Sequence, residues 1–358
     1  MDCVFILTAV VASAVALLVL YAVVSLVIIL VYRSDVPTAL TPLLSTTGTK
    51  KSPFDDGSVV WITGAGSGLG ERIAYILAQT SDNVKIILSS RKEEHLEKVA
   101  EECRRIHKKR LENSFQKTVS SDELHVFQVK VLPLDLSNLE SIPDKVKQAK
   151  ELFGSSQTKI DVLINAAGVT TRTYCSDSSF ELDHYVAKVN YLGPVCLIKQ
   201  LFPNLPGTII QLGSIASKLG APVRSAYSGS KFALHGWLEA LGVESVLQGR
   251  DIYILNCVLG SIDTGLGSRA LINVQSGKIE TLQQEDDNIA DGLDPEVVAE
   301  RILAVARQKK RYETWMAIPK ELFILYFATY MRHTAFLVLT KTLARQYAVT
   351  EDDKKKEG

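Results

Sequence analysis

Val59-Val60-Trp61-Ile62-Thr63-Gly64-Ala65-Gly66-Ser67-Gly68-Leu69-Gly70 joins a short apolar run to a glycine-rich turn, after which Ile73, Ile76 and Leu77 recur at helical spacing up to Gln79. The order is strand, turn, helix. Glycines at 64, 68 and 70 let the backbone turn tightly and approach a pyrophosphate, whose charge rests at the N-terminus of the following helix. The spacing G-x3-G-x-G differs from the more familiar G-x-G-x-x-G. Glycine turns are common, so the surrounding chain must decide what this one does.

Downstream, strand and helix patterns alternate. Strands are predicted over Val84 to Leu88, Leu124 to Leu132, Ile160 to Asn165, Thr208 to Leu212 and Ile252 to Val258. Helices are predicted over Glu93 to Arg110, about Leu139 to Phe153, Phe180 to Phe202 and Ala226 to Leu247. Repeated βα units with right-handed crossovers give an α/β fold, a doubly wound parallel Rossmann sheet with helices on both faces. The basic, polar stretch Arg104 to Leu124 reads as a solvated helix end and surface loop.

Upstream, Val4 to Tyr32 carries no charge and is longer than the roughly 20 residues a bilayer crossing needs. It reads as an N-terminal transmembrane helix. A cleaved signal peptide fits less well, because Asp2 replaces the usual basic residues and the apolar run continues past Ala12-Ser13-Ala14. Arg33, Lys50 and Lys51 follow the run, which puts the bulk of the chain on the cytosolic side. No Asn-x-Ser/Thr sequon occurs, and Lys355-Lys356-Glu357-Gly358 resembles a dilysine retrieval signal of the endoplasmic reticulum membrane. The expected organisation is an anchor at 1–33, a Ser/Thr/Pro/Gly-rich linker at 34–57, a Rossmann domain at 58–318 and an apolar segment with a charged tail at 319–358.

The chain has 358 residues, with 40 Lys plus Arg against 40 Asp plus Glu. That balance supplies no electrostatic case for a nucleic-acid partner. Cys3, Cys103, Cys175, Cys196 and Cys257 lack metal-ligand spacing and read as free thiols. Leu322 to Thr340 is nearly as apolar as the anchor but carries Arg332 and His333, a costly pair at a bilayer centre. A core helix, an interfacial helix and a dimer contact are all open for it; its aromatics favour the latter two, so a membrane surface and a homodimer are the expected partners.

The chemistry lies in Ser214 and in Tyr227-Ser228-Gly229-Ser230-Lys231. Tyr227 and Lys231 are one helical turn apart, and an ammonium beneath a phenol stabilises the phenolate, which suits a tyrosine to acid and base work. A lone serine is more often a turn residue and a lone asparagine more often a cap or packing group. His184 and His235 read as a surface or satisfied core histidine.

Taken together, these motifs identify residues from about 58 to 270 as resembling the short-chain dehydrogenase/reductase family. Thr63-Gly64-x3-Gly68-Leu69-Gly70 matches the family's cofactor turn, with Ser67 inside it. Asp135, followed by Leu136, matches the residue near the adenine, and Asn165-Ala166-Ala167-Gly168 the strand end beside the central sheet. Asn190, Ser214, Tyr227 and Lys231 match the catalytic tetrad, and Thr264 closes the cofactor set. The resemblance implies that Tyr227 donates a proton to a carbonyl oxygen, Lys231 assists it and holds the nicotinamide ribose, Ser214 binds the reacting oxygen, and Asn190 positions a water that resupplies protons.

At the end of the second predicted strand, Ser90 stands where an NAD enzyme would carry a carboxylate, and Arg91 follows. That favours NADP(H). Leu259-Gly260-Ser261-Ile262-Asp263-Thr264 and the apolar termini resemble the membrane-anchored 11β-hydroxysteroid dehydrogenase type 1-like branch. The expected function is oxidoreduction of a hydrophobic steroid, retinoid or other lipid ketone and alcohol. An enzyme like 3-ketodihydrosphingosine reductase and a catalytically silent NADPH-binding scaffold are the alternatives.

Overall fold

The computed structural model of the chain describes residues 13, 15–17, 19–21, 23–27, 31–39, 53–54, 57–114, 127–154, 158–273, 279–282, 292–310 and 312–332. Its centre is a seven-stranded sheet built from β1 (Val59–Thr63), β2 (Lys85–Ser89), β3 (Gln128–Val131), β4 (Val162–Asn165), β5 (Thr208–Leu212), β6 (Tyr253–Leu259) and, last in the chain, β9 (Glu313–Met316). The strand order is β3-β2-β1-β4-β5-β6-β9, and every pairing is parallel. Strands covered on both faces must be apolar along their whole length. In β1, β4, β5 and β6 every residue is buried.

Two helical layers supply the cover. On one face α1 (Gly68–Thr80), α2 (Glu93–Ser114) and α7 (Pro295–Gln308) bury Ile73, Leu77, Leu96, Val99, Ile302 and Val305. On the other, α3 (Ile142–Glu151), α5 (Gly193–Gln200) and α6 (Ser225–Leu247) bury Val146, Leu197, Leu234 and Leu238. The order reverses between β1 and β4, and at such a point the strands' carboxyl ends open a crevice for ligands.

Several sequence expectations change. The helix expected from Phe180 to Phe202 is α4 (Phe180–Ala187), a π turn over Lys188–Leu192, and then α5. Pro194 has no N–H to give to the carbonyl of Asn190, so the regular ladder breaks there. Helix α2 runs on to Ser114, past the expected Arg110. Residues 115–126, which hold most of the expected surface loop, lie outside the described residues. Strand β9, helix α7 and the short antiparallel pair β7 (Leu271–Asn273) and β8 (Ile279–Thr281) were not anticipated. Helix α7 is well punctuated, with Asp294 Oδ1 accepting from Glu296 N at 2.8 Å, Pro295 opening it and Lys309 left-handed beyond its end.

The described parts of 13–27 and 31–32 are helical and expose Leu17, Leu20, Tyr21 and Val31. The rest of the expected anchor lies outside the described residues, and among those described no helix is long and apolar enough to cross a membrane. The chain just beyond is not free. Ser34 bridges Met316, Asp35 N donates to Trp315 O at 3.0 Å, Trp315 N donates to Asp35 Oδ1 at 3.0 Å, and Thr38 and Thr314 share a hydroxyl hydrogen bond. From α7, Arg301 Nη1 donates to Tyr32 O and Ser34 Oγ, each at 3.0 Å. The first residues of the expected linker therefore strap the open edge of β9. Beyond β9, α8 (Pro319–Tyr330) buries Leu322, Leu325 and Ala328 and exposes Phe323 and Tyr330. Residues 333–358 lie outside the described residues.

Candidate active site

At the carboxyl ends of the central strands lies a cleft of about 840 Å³. Its floor is the glycine turn. Gly64 has φ of +69°, and a Cβ on it would meet Ala167 N at 2.5 Å. A Cβ on Gly70 would meet Gly64 O at 2.5 Å, so the turn and the start of α1 interlock beneath the loop after β4. Gly64, Ser67, Gly68 and Leu69 line the cleft, whereas Gly70 is buried under it.

The other expected cofactor residues take distinct places. Asp135, Leu136, Ala166, Gly168 and Thr264 line the cleft. Asp135 Oδ1 accepts from Ser137 N at 2.9 Å and Ser137 Oγ at 2.7 Å, which fixes the carboxylate against its own turn. Arg91 also lines the cleft, and its Nη1 donates to Tyr185 OH at 2.8 Å. Asn165 stands off the cleft wall, 1% exposed at the end of β4. It starts a row of buried amides in register, Asn165 with Gln211 and Gln211 with Asn256, which continues to Glu313.

Tyr227 and Lys231 face the cleft from the first turns of α6, each 7% exposed. Lys231 Nζ lies 5.7 Å from the centre of the Tyr227 ring and donates to Leu212 O at 3.1 Å. A Cβ on Gly168 would sit 3.5 Å from Lys231 Nζ and 3.4 Å from Asn190 Oδ1, so this glycine separates the two polar groups. Asn190, in the π turn, is 1% exposed and forms no part of the cleft wall. Its Nδ2 donates to Val169 O at 2.8 Å and meets Ser230 Oγ at 3.0 Å, and its Oδ1 accepts from Val169 N at 2.9 Å. The amide thus ties α6 to the loop after β4.

Ser214 ends the loop after β5. Its Oγ accepts from Ala216 N at 3.1 Å, an arrangement that leaves the hydroxyl proton for the cleft. The loop is held from behind. Ser217 Oγ donates to Ser214 O at 2.6 Å, and Lys218 Nζ sits 2.7 Å from Glu313 Oε2 on β9.

Around Glu313 the charges are dense. His235 Nε2, one turn beyond Lys231, lies 3.0 Å from Glu313 Oε2 and 3.2 Å from Glu239 Oε1. Burial pushes the Glu313 carboxyl up, but the neighbouring His235, Lys218 and Trp315 groups outweigh it and hold the carboxyl down at about 2. His235, Glu239 and Glu313 are close enough together to grip a metal ion. The Lys218 ammonium already takes the cation's place on Glu313, so the cluster reads as an ion-pair clamp on the Ser214 loop. Of the two readings for His235, surface or satisfied core, the structure shows the buried, paired one.

Sequence reading passed over Tyr185, Arg224, Arg269 and Glu321, all on the cleft wall. Arg224 Nη1 meets Thr170 Oγ1 at 3.1 Å. Glu321 Oε2 accepts from Ser261 N at 3.0 Å, and Ser261 Oγ donates to Glu321 Oε1 at 2.6 Å, which pins α8 to the loop after β6. No local spacing links these residues; only the tertiary fold does. The described cysteines Cys103, Cys175, Cys196 and Cys257 are free thiols, while Cys3 lies outside the described residues.

A family model described as short chain dehydrogenase matches residues 58–273. The chain is 31% identical over 258 residues to a "Dehydrogenase/reductase SDR family protein 7-like" of Drosophila melanogaster, covering 71% of each chain. It is 29% identical over 288 residues to "Dehydrogenase/reductase SDR family member 7" of Homo sapiens, covering 79% of this chain and 77% of that one. Among solved structures, an alcohol dehydrogenase from the archaeon Thermococcus sibiricus, complexed with 5-hydroxy-NADP, superposes with a TM-score of 0.57 at 23% identity. It covers 73% of this chain and 96% of that one.

Proposed function

Because the chain belongs to the short chain dehydrogenase family of oxidoreductases, we propose that its cleft binds a nicotinamide dinucleotide, NADP(H) by preference, and interconverts a hydrophobic ketone and alcohol at Tyr227. The observation that carries this reading is Tyr227 and Lys231 side by side in a cleft whose floor is a glycine cradle that side chains would fill. A dinucleotide fits that cradle. The turn from Gly64 to Leu69 would hold its pyrophosphate, Asp135 and Leu136 its adenine side, and Lys231 and Thr264 its nicotinamide side. The bound nicotinamide would supply or accept hydride at the substrate carbon.

The chain's own groups do the rest. Tyr227 holds the proton that passes to the carbonyl oxygen, and in the reverse direction its phenolate takes that proton back. The Lys231 side chain, anchored on Leu212 O, sits beside the phenol, where it can hold the nicotinamide ribose. Ser214 offers its hydroxyl proton to the reacting oxygen as negative charge develops there. Asn190 spends its amide on Val169 and Ser230, so it acts by fixing the backbone around Lys231.

Arg91 at the end of β2, with Ser90 in place of an acid, supports the preference for a 2′-phosphate. The apolar run up to Tyr32 and the exposed aromatics of α8 support an endoplasmic reticulum membrane protein with a cytosolic catalytic domain, acting on a lipid substrate as a homodimer. The likeness to the 11β-hydroxysteroid dehydrogenase type 1 branch makes steroids and retinoids the first substrates to try. Detergent-solubilised full-length protein given NADPH and a panel of lipid ketones should consume NADPH, and Tyr227→Phe should not. Cofactor binding without turnover of any ketone or alcohol would instead identify a silent dinucleotide-binding protein.

A further inference from the structure

We propose that Arg269 is a pyrophosphate-binding residue, a cation carried by the loop after β6 onto the glycine turn. The inference rests on the dinucleotide reading of the cleft. That loop settles directly on the turn: a Cβ on Gly68 would come within 3.2 Å of Thr264 Cβ. Five residues on, in the 3-10 turn Gly267–Arg269, the guanidinium reaches back. Its Nε donates to Gly265 O at 3.0 Å and its Nη2 to Thr264 O at 3.2 Å, while Nη1 faces Ser67 Oγ at 3.4 Å.

Three points make this a phosphate site. First, the side chain is preorganised, because two nitrogens pinned to loop carbonyls fix the guanidinium plane before any ligand arrives. Second, Ser67 precedes α1 but makes no side-chain cap there, so its hydroxyl is directed to the arginine instead of the helix. Third, charge is short. A helix N-terminus offers only about half an elementary charge, against the two of a pyrophosphate. Glu71 in the first turn of α1 reduces that further. A planar guanidinium above the turn supplies the missing charge and can bind phosphate oxygens in pairs. Arg91 stands elsewhere, on Tyr185 at the end of β2, which is the ribose side.

Binding of NADPH and of NADH to full-length protein in detergent, followed by reduced-nicotinamide fluorescence, tests the assignment. Arg269→Ala should weaken both cofactors by the same factor, about tenfold to a hundredfold for a lost charged hydrogen bond. Arg269→Lys should recover part of the loss. Arg269→Gln can still donate to the loop carbonyls and guards against a folding defect; it should unfold at the wild-type temperature without cofactor yet bind both cofactors weakly. Unchanged affinity for both in the alanine and glutamine variants would overturn the proposal. So would a loss confined to NADPH, which would move Arg269 to the 2′-phosphate. Wild-type protein that binds neither cofactor would overturn the dinucleotide reading itself.

Discussion

In the proposed reaction Tyr227 is the proton donor, and Lys231, one helical turn along, holds its Nζ 5.7 Å from the ring centre. Replacing Tyr227 with Phe removes a single oxygen from a buried ring. Turnover should fall at least about a hundredfold, the low end of what a general acid contributes, while NADPH affinity stays close to wild type. Rapid kinetics with equilibrium binding would separate the two effects. Arg91→Asp should shift preference from NADPH toward NADH, read as the ratio of kcat/KM values. An unchanged ratio would place the phosphate away from Arg91. These residues were legible because their roles depend on local spacing: one helical turn for Tyr227 and Lys231, one tight turn for Gly64 to Gly70. Arg269 and Glu321 were not, because their partners lie across the fold in Ser67 and Ser261.

Elements position these residues through contacts that few sequence patterns announce. Glu313 lies on a strand of only four residues, and Glu-Thr-Trp-Met gives little warning of a seventh strand at the edge of the sheet. Yet that strand holds the carboxylate that grips Lys218 behind Ser214. His235, Lys218 and Trp315 hold the Glu313 carboxyl down at about 2, against 4.5 for an ordinary glutamate. A depressed folded value means the stabilisation is complete above about pH 4.5 and is lost as pH falls toward 2, a total on the order of 3 kcal/mol. Glu313→Gln should therefore destabilise the protein at neutral pH and flatten its acid-unfolding profile between those limits, measurable by circular dichroism. A variant with wild-type stability at pH 7 would show that Lys218 and His235 do not depend on it. The helix broken at Pro194 is the opposite lesson. A proline in an apolar periodic run was visible, but the π turn that buries Asn190 became visible only with the fold.

Over the whole molecule, the alternation of strands and helices was enough to infer a parallel Rossmann sheet, and β1 to β6 fall close to the stretches expected of them. The closure of the sheet's far edge was not legible, since it joins Ser34, Asp35 and Thr38 to residues almost at the other end of the described chain. Removing residues 1–39 should strip Arg301 of Tyr32 O and Ser34 Oγ, at a cost of roughly 1–3 kcal/mol for a buried donor left unpaired, and bare the edge of β9 to self-association. Removing only residues 1–30 should spare both. Thermal unfolding and light scattering would distinguish the two truncations, and equal behaviour would show the strap to be dispensable. In sealed microsomes, added protease should digest the catalytic domain without detergent if that domain faces the cytosol.

The strap also sets a clock on biosynthesis. Thr38 and Thr314 are 276 positions apart, so the strap leaves the ribosome long before the strand it pairs with. At about 5–20 residues per second, that wait is about 14–55 seconds. Throughout it, the apolar helix is joined to a domain whose final edge does not yet exist, and a nascent chain stalled before residue 313 has nothing to which Ser34 and Asp35 can pair.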